Sequence, residues 1–183
     1  MRGLVRAAAL GVAVLAAAGC TGRSAQLAGP SPAHSAGPVH TSECRVTPVH
    51  TGPLPSALPG QPSASATARR LGSWPWMGDT QFAAVLFYAE GDNPLIYAGG
   101  QMPNGNITKV LWWVARQRTG PLIIHGREAS SGRTYTQPIG LGVGQGLYPS
   151  QTVVPGAGCW TLTATIGGDK VGAITLPVAA AGA

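Results

Sequence analysis

Charge is scarce in this sequence: only 10% of its 183 residues are Asp, Glu, Lys or Arg, and just six of them are acidic. That leaves little material for acid–base chemistry. No His-Glu-x-x-His, Gly-x-Ser-x-Gly or Ser-x-x-Lys occurs, so three common hydrolase chemistries lack their signatures. A pair of carboxylates for glycoside hydrolysis would have to come from Asp79, Glu90, Asp92, Glu128 and Asp169. All but Glu128 sit beside turn glycines, where solvated acids are usual. In His125-Gly-Arg-Glu128 the two functional groups are three residues apart, which on a strand puts them on opposite faces. His34, His40 and His50 match no metal-ligand spacing and read as solvated loop histidines. No catalytic residue, metal or cofactor is expected.

The mature part of the chain also lacks any amphipathic helical period. Its basic excess is bland. Two of the twelve basic residues, Arg2 and Arg6, lie in the N-terminal segment, and the others are scattered apart from Arg69-Arg70 and Arg116/Arg118. No basic helix or aromatic–basic interleaving of a nucleic-acid module is present, so no nucleic-acid partner is expected.

What is there begins with an export signal. Arg2 and Arg6 form a positive start, and Ala7 to Ala18 is an apolar run too short to span a bilayer. It ends in Ala16-Ala17-Ala18-Gly19-Cys20, which resembles a lipobox, with Ala17 where Leu is usual. Residues 1–19 are therefore expected to be a lipoprotein signal peptide and Cys20 the lipidated residue, holding the protein to the outer face of the cell membrane. Ordinary cleavage after Ala18 is the rival, because Ala16-Ala17-Ala18 also satisfies the small-x-small rule.

Residues 20–43 are mostly Ala, Gly, Ser, Pro and His, a composition that cannot bury enough surface to offset chain entropy; a disordered tether is expected. Cys44-Arg-Val-Thr-Pro opens a proline-rich stretch, 44–70, whose Pro53, Pro55, Pro59 and Pro62 exclude helix and central strand. An extended segment lying on the domain fits, with the domain itself at 71–179 and a short disordered tail at 180–183.

From Leu71 onward short strands follow one another, separated by turn residues. Gln81 to Tyr88 has strand length, and Leu95 to Tyr97 reads as its returning partner. Ile107 to Ala115 is the strongest strand, with Val110, Trp112 and Val114 on one face and Leu111 and Trp113 on the other. Both faces are apolar, which predicts a central strand covered on each side. Pro121 to Gly126 follows a short turn and reads as its antiparallel hairpin mate. Arg133 to Thr136 is a further short strand. Pro138 to Gly146 is rich in glycine but has neither a phosphate-loop spacing nor a following helix, and reads as a connecting loop. Gln151 to Val154 is a strand. In Cys159 to Ile166, Trp160, Leu162, Ala164 and Ile166 alternate with Thr161, Thr163 and Thr165, the pattern of a half-buried antiparallel strand. Gly167-Gly-Asp-Lys170 turns the chain into Val171 to Val178, with Ile174, Leu176 and Val178 inward. About seven strands at such spacings predict an all-β, immunoglobulin-like antiparallel β-sandwich.

Three cysteines remain to be placed. With Cys20 given to lipid, Cys44 and Cys159 form an even pair in an exported chain. Cys159 falls on the threonine side of its strand, away from the core, and is placed to pin an outer segment. A Cys44–Cys159 disulfide is expected. Were Cys20 not lipidated, Cys20–Cys44 would compete. Of the tryptophans, Trp112 and Trp160 read as core, while Trp74, Trp76 and Trp113 are less constrained and are the candidates for an exposed sugar-binding or apolar ligand surface.

Lys109-Val-Leu-Trp-Trp, His125-Gly-Arg, Tyr148-Pro-Ser, Val154-Pro-Gly-Ala-Gly-Cys-Trp and Cys44-Arg-Val-Thr-Pro resemble segments of a group of uncharacterised bacterial, by composition actinobacterial, secreted proteins and lipoproteins with a C-terminal Gly-Cys-Trp strand motif. The likeness runs from about Cys44 to Val178. It implies location and fold; the group has no established activity to transfer. The expectation is a lipid-anchored envelope protein whose non-enzymatic sandwich has an interaction or structural role, with an unidentified envelope or extracellular partner. A ligand-binding lipoprotein is the alternative, and an envelope hydrolase is disfavoured by the missing motifs.

Overall fold

A computed structural model describes residues 44–55, 74–115, 118–141 and 146–182. The expected signal peptide, Cys20, the expected tether and residues 56–70 of the proline-rich stretch lie outside the described residues. Ten strands occur, β1 (Val49–His50), β2 (Trp76–Gly78), β3 (Phe82–Leu86), β4 (Ile96–Tyr97), β5 (Lys109–Val114), β6 (Pro121–Glu128), β7 (Thr134–Leu141), β8 (Leu147–Gln151), β9 (Gly158–Ile166) and β10 (Asp169–Ala179), and no helix among the described residues. They form two five-stranded sheets, ordered β1-β2-β3-β5-β8 and β4-β10-β9-β6-β7. Their apolar inner faces pack together, which is the β-sandwich solution to burying one face of each sheet.

The alternation in β9 places Trp160, Leu162, Ala164 and Ile166 in this core and leaves Thr161, Thr163 and Thr165 half-buried on the other side. Gly167 and Gly168 form the two-residue turn to β10, and both have positive φ (61° and 89°), as the primed hairpin turns require. Ile174, Leu176 and Val178 of β10 point inward. At Gly172, beside a bulge in β10, the ring of Phe82 occupies the space a Cβ would need, so the sheets approach closely there. Phe82 in turn stacks on Trp112, with centroids 5.9 Å apart.

Strand β5 has the two buried faces its sequence predicts. Val110, Trp112 and Val114 join the core between the sheets. Leu111 and Trp113 join a second cluster on the outer face of their sheet, with Trp76, Ala83, Val85 and Leu54 of the proline-rich stretch.

Several strand partners differ from the local reading. β4 does not return along β3. It crosses to the other sheet and runs parallel to β10, with Ile96 opposite Val178, so one pair in the sandwich is parallel. β6 is not the hairpin mate of β5. The two edges of β5 are taken by β3 and β8, while β6 lies between β9 and β7. β6 has strict alternation, with Leu122 and Ile124 buried, which suits a sheet with one solvated face. β7 extends to Leu141, so the first part of the expected glycine-rich loop is strand. β8 precedes the expected Gln151–Val154 strand; Thr152 and Val154 are buried in the connection that follows it.

The expected disulfide is present. Cys44 and Cys159 have Cα atoms 5.4 Å apart, within bonding range, and close a sequence separation of 115. From Cys44 the chain runs along the edge of β10. The Thr47 N–H donates to Thr175 O at 2.9 Å, and the Thr175 N–H to Thr47 Oγ1 at 2.8 Å. It then passes to the other sheet as β1. Residues 44–50 thus join the two sheets along one open side. On the opposite side Gln137 of β7 links to the end of β8, its amide donating to Gln151 O at 2.6 Å and its Oε1 accepting from the Val153 N–H at 3.0 Å.

Candidate functional site

Of the three tryptophans singled out as a ligand surface, the fold leaves one exposed. Trp113 is 1% exposed, sealed in the cluster on the outer face of its sheet. Trp76 is 7% exposed: the His50 ring stacks on it at 4.2 Å, and its indole N–H donates to Gly52 O at 3.2 Å. Both are corrections to the surface proposed from sequence. His50 and Gly52 cover Trp76, and Trp113 packs in one outer cluster with Trp76, Ala83, Val85, Leu111 and Leu54. Trp74 is 36% exposed.

Antiparallel pairing brings the start of β2, the end of β3 and the start of β5 to one end of their sheet. Trp74 precedes β2, Phe87 and Tyr88 follow β3, and Ile107 precedes β5, so residues distant in sequence meet there. Trp74 and Phe87 make an edge-to-face contact at 5.4 Å. Lys109 Nζ lies 5.7 Å from the centroid of the Phe87 ring. Ile107, 45% exposed, adds a further apolar side chain. Together they line a hollow of about 350 Å³. A second hollow of about 270 Å³ shares Tyr88, Glu90, Met102 and Asn104 with it and continues towards Asn93 and Tyr97. The two hollows adjoin across these shared residues and are together called the groove.

Its polar rim is set by turn chemistry. The Met102 N–H donates to Asn106 O at 2.7 Å and the Gly105 N–H to Met102 O at 2.9 Å, closing a tight turn in which Gly105 has φ 83°. Asn104 Oδ1 accepts from the Asn106 N–H at 3.0 Å, and Asn93 Oδ1 from the Leu95 N–H at 3.1 Å. These bonds use the amide oxygens and fix the side chains. The amide NH₂ groups of Asn93 and Asn104 have no hydrogen-bond partner among the described residues. Tyr88 donates its hydroxyl to Pro94 O at 3.1 Å, and burial pushes its pKa up, so it stays a neutral donor. The backbone carrying the site is held to the sheets by Phe87 N–H to Lys109 O, Gly99 N–H to Val154 O and Thr108 N–H to Gly100 O. The groove is preformed.

Of the groups considered for hydrolysis, Glu90 lines the groove, while Glu128, His125 and Cys159 are engaged elsewhere. Glu128, 2% exposed, accepts hydrogen bonds from the Ser131 hydroxyl, from the backbone N–H groups of Ser130 and Ser131 and from the Ser130 hydroxyl. These donors, the Ser131 hydroxyl foremost, lower its pKa to about 2, and it braces the β6–β7 turn as a carboxylate. His125 lies on the opposite face of β6, near Thr165 Oγ1 at 3.1 Å and Thr136 Oγ1 at 3.4 Å. Cys159 is spent in the disulfide. Among the described residues no three His, Cys, Asp or Glu side chains converge as a metal site.

Sequence reasoning missed Phe87, Ile107 and the asparagines. The signal was there in Pro103-Asn-Gly-Asn106, which marks a tight turn but does not say what stands beside it. Comparison of the chain with protein-family models, with curated proteins and with solved structures finds no match in any of the three.

Proposed function

We propose that the chain is an exported envelope protein, lipid-anchored at Cys20 on the extracytoplasmic face of the cell membrane, whose non-enzymatic sandwich of immunoglobulin-like architecture serves an interaction role. The observation that carries this reading is the Cys44–Cys159 disulfide. Such bonds persist outside the reducing cytoplasm, which agrees with the export signal ending at Cys20. The likeness to bacterial secreted proteins and lipoproteins with a Gly-Cys-Trp strand supports the same location. In cells fed labelled palmitate the protein takes up label, and Cys20→Ser abolishes it and releases the protein from the membrane fraction. Recovery of unlabelled wild-type protein beginning at Gly19 would overturn the anchor in favour of simple secretion.

The groove beside Trp74 favours a ligand as the object of that interaction. It combines a preformed concave shape, a small apolar surface and a few converging polar groups, the usual anatomy of a binding site.

A further inference from the structure

We infer that the groove beside Trp74 takes a neutral oligosaccharide of two or more rings. This inference rests on the reading of that groove as the ligand site. A sugar ring presents a face of C–H groups and a rim of hydroxyls. The exposed Trp74 indole, edge-on to Phe87 and next to Ile107, offers the flat apolar surface such a face needs. The rim is made of side chains that answer hydroxyls. Asn93 and Asn104 have amide donors to spare, Glu90 only accepts and Lys109 only donates. Hydroxyls, which donate and accept, satisfy all of them.

Other ligand classes satisfy fewer. An apolar ligand would cover Glu90 and the amides without replacing the hydrogen bonds they make to water. A proline-rich peptide would suit the aromatics but brings carbonyls without N–H groups, so Glu90 would have no partner. A charged ligand finds no matching field, because the groove holds one carboxylate and one ammonium. Two adjoining hollows, of about 270 and 350 Å³, leave room for more than one ring.

Cys44 is joined to Cys159 at the start of β9; Gly158 pairs with Val178, and Val178 with Ile96 of β4. Tyr97, the next residue of β4, lines the second hollow. The described chain therefore begins, at Cys44, at the same end of the sandwich as the groove.

The test uses the full exported chain with Cys20→Ser, which removes only the lipid attachment. Calorimetric titration is run with gluco-, manno-, galacto- and N-acetylglucosamine tetrasaccharides, with the matching monosaccharides, with an anionic galacturonate tetrasaccharide and with a proline-rich peptide. At least one neutral tetrasaccharide binds, more tightly than its monosaccharide and than the anionic one. Trp74→Ala weakens it by about tenfold or more, and Asn104→Ala weakens it while leaving the circular dichroism and thermal midpoint unchanged. Trp74-dependent binding of the peptide alone would overturn the carbohydrate assignment and keep the groove as a binding site. Binding of none of the probes, or sugar binding untouched by both substitutions, would overturn the two together.

Discussion

Cys44 is bonded to Cys159, and the bond fastens the point where the described chain begins to the start of β9, the strand that carries Trp160. Across a separation of 115 residues the chain-entropy model assigns the closure about 5 kcal/mol. Cys44→Ser is expected to lower unfolding free energy by about 2–5 kcal/mol in urea titration. Residues 44–50 should also lose protection against amide exchange, because Thr47 would then be held to β10 by its hydrogen bonds alone.

Glu128 predicts an acid sensitivity. Its pKa in the folded protein is lowered to about 2, while in the unfolded chain it returns to the ordinary range. A lowered carboxylate pKa stabilises the fold above the unfolded value and loses that contribution as pH falls through the folded one. Thermal midpoints should therefore fall between about pH 4.5 and pH 2. Glu128→Gln should be the less stable protein near neutrality, by on the order of 2 kcal/mol, and the gap to wild type should narrow across that window. A constant gap would mean that charge at Glu128 contributes nothing to the turn.

Gly172 is expected to tolerate no side chain. A Cβ there meets the ring of Phe82, itself buried and stacked on Trp112. Gly172→Ala should cost about 1–3 kcal/mol through displacement of that ring, with a matching change in near-ultraviolet circular dichroism.

Trp74 and Trp113 should separate binding from folding. Trp113→Ala opens a cavity in the outer cluster and is expected to cost about 3–5 kcal/mol in chemical denaturation. Trp74→Ala removes a partly exposed ring and should cost less than about 1 kcal/mol, its effect appearing in ligand affinity.

How far the sequence could be read depended on the range of the physics involved. The alternation in β9 is local, because side chains of a strand point to opposite faces in turn. Trp160, Leu162, Ala164 and Ile166 could thus be placed in the core from the residues alone. The apolar run of β5 in the same way announced a strand covered on both sides. The partners of β4 and β6 were not legible: Leu95 to Tyr97 and Pro121 to Gly126 follow turns that look like hairpins, yet both strands pair in the opposite sheet. A hydrogen-bonded edge is chosen by competition among all strands, and β3 and β8 hold the edges of β5.

The binding surface shows the same division. Composition and spacing singled out Trp74, Trp76 and Trp113 together. Residues 50–52 cover Trp76 and the outer cluster holds Trp113, while Phe87, Ile107 and Asn104 came to Trp74 from separate loops. By itself the sequence determined the inward faces of β5, β9 and β10, because periodicity acts within short reach, and with Cys20 assigned to lipid it left Cys44 and Cys159 as the pair. Tertiary structure decided which sheet each strand joined and which tryptophan met solvent. Those outcomes depend on contacts between residues that no local pattern brings together.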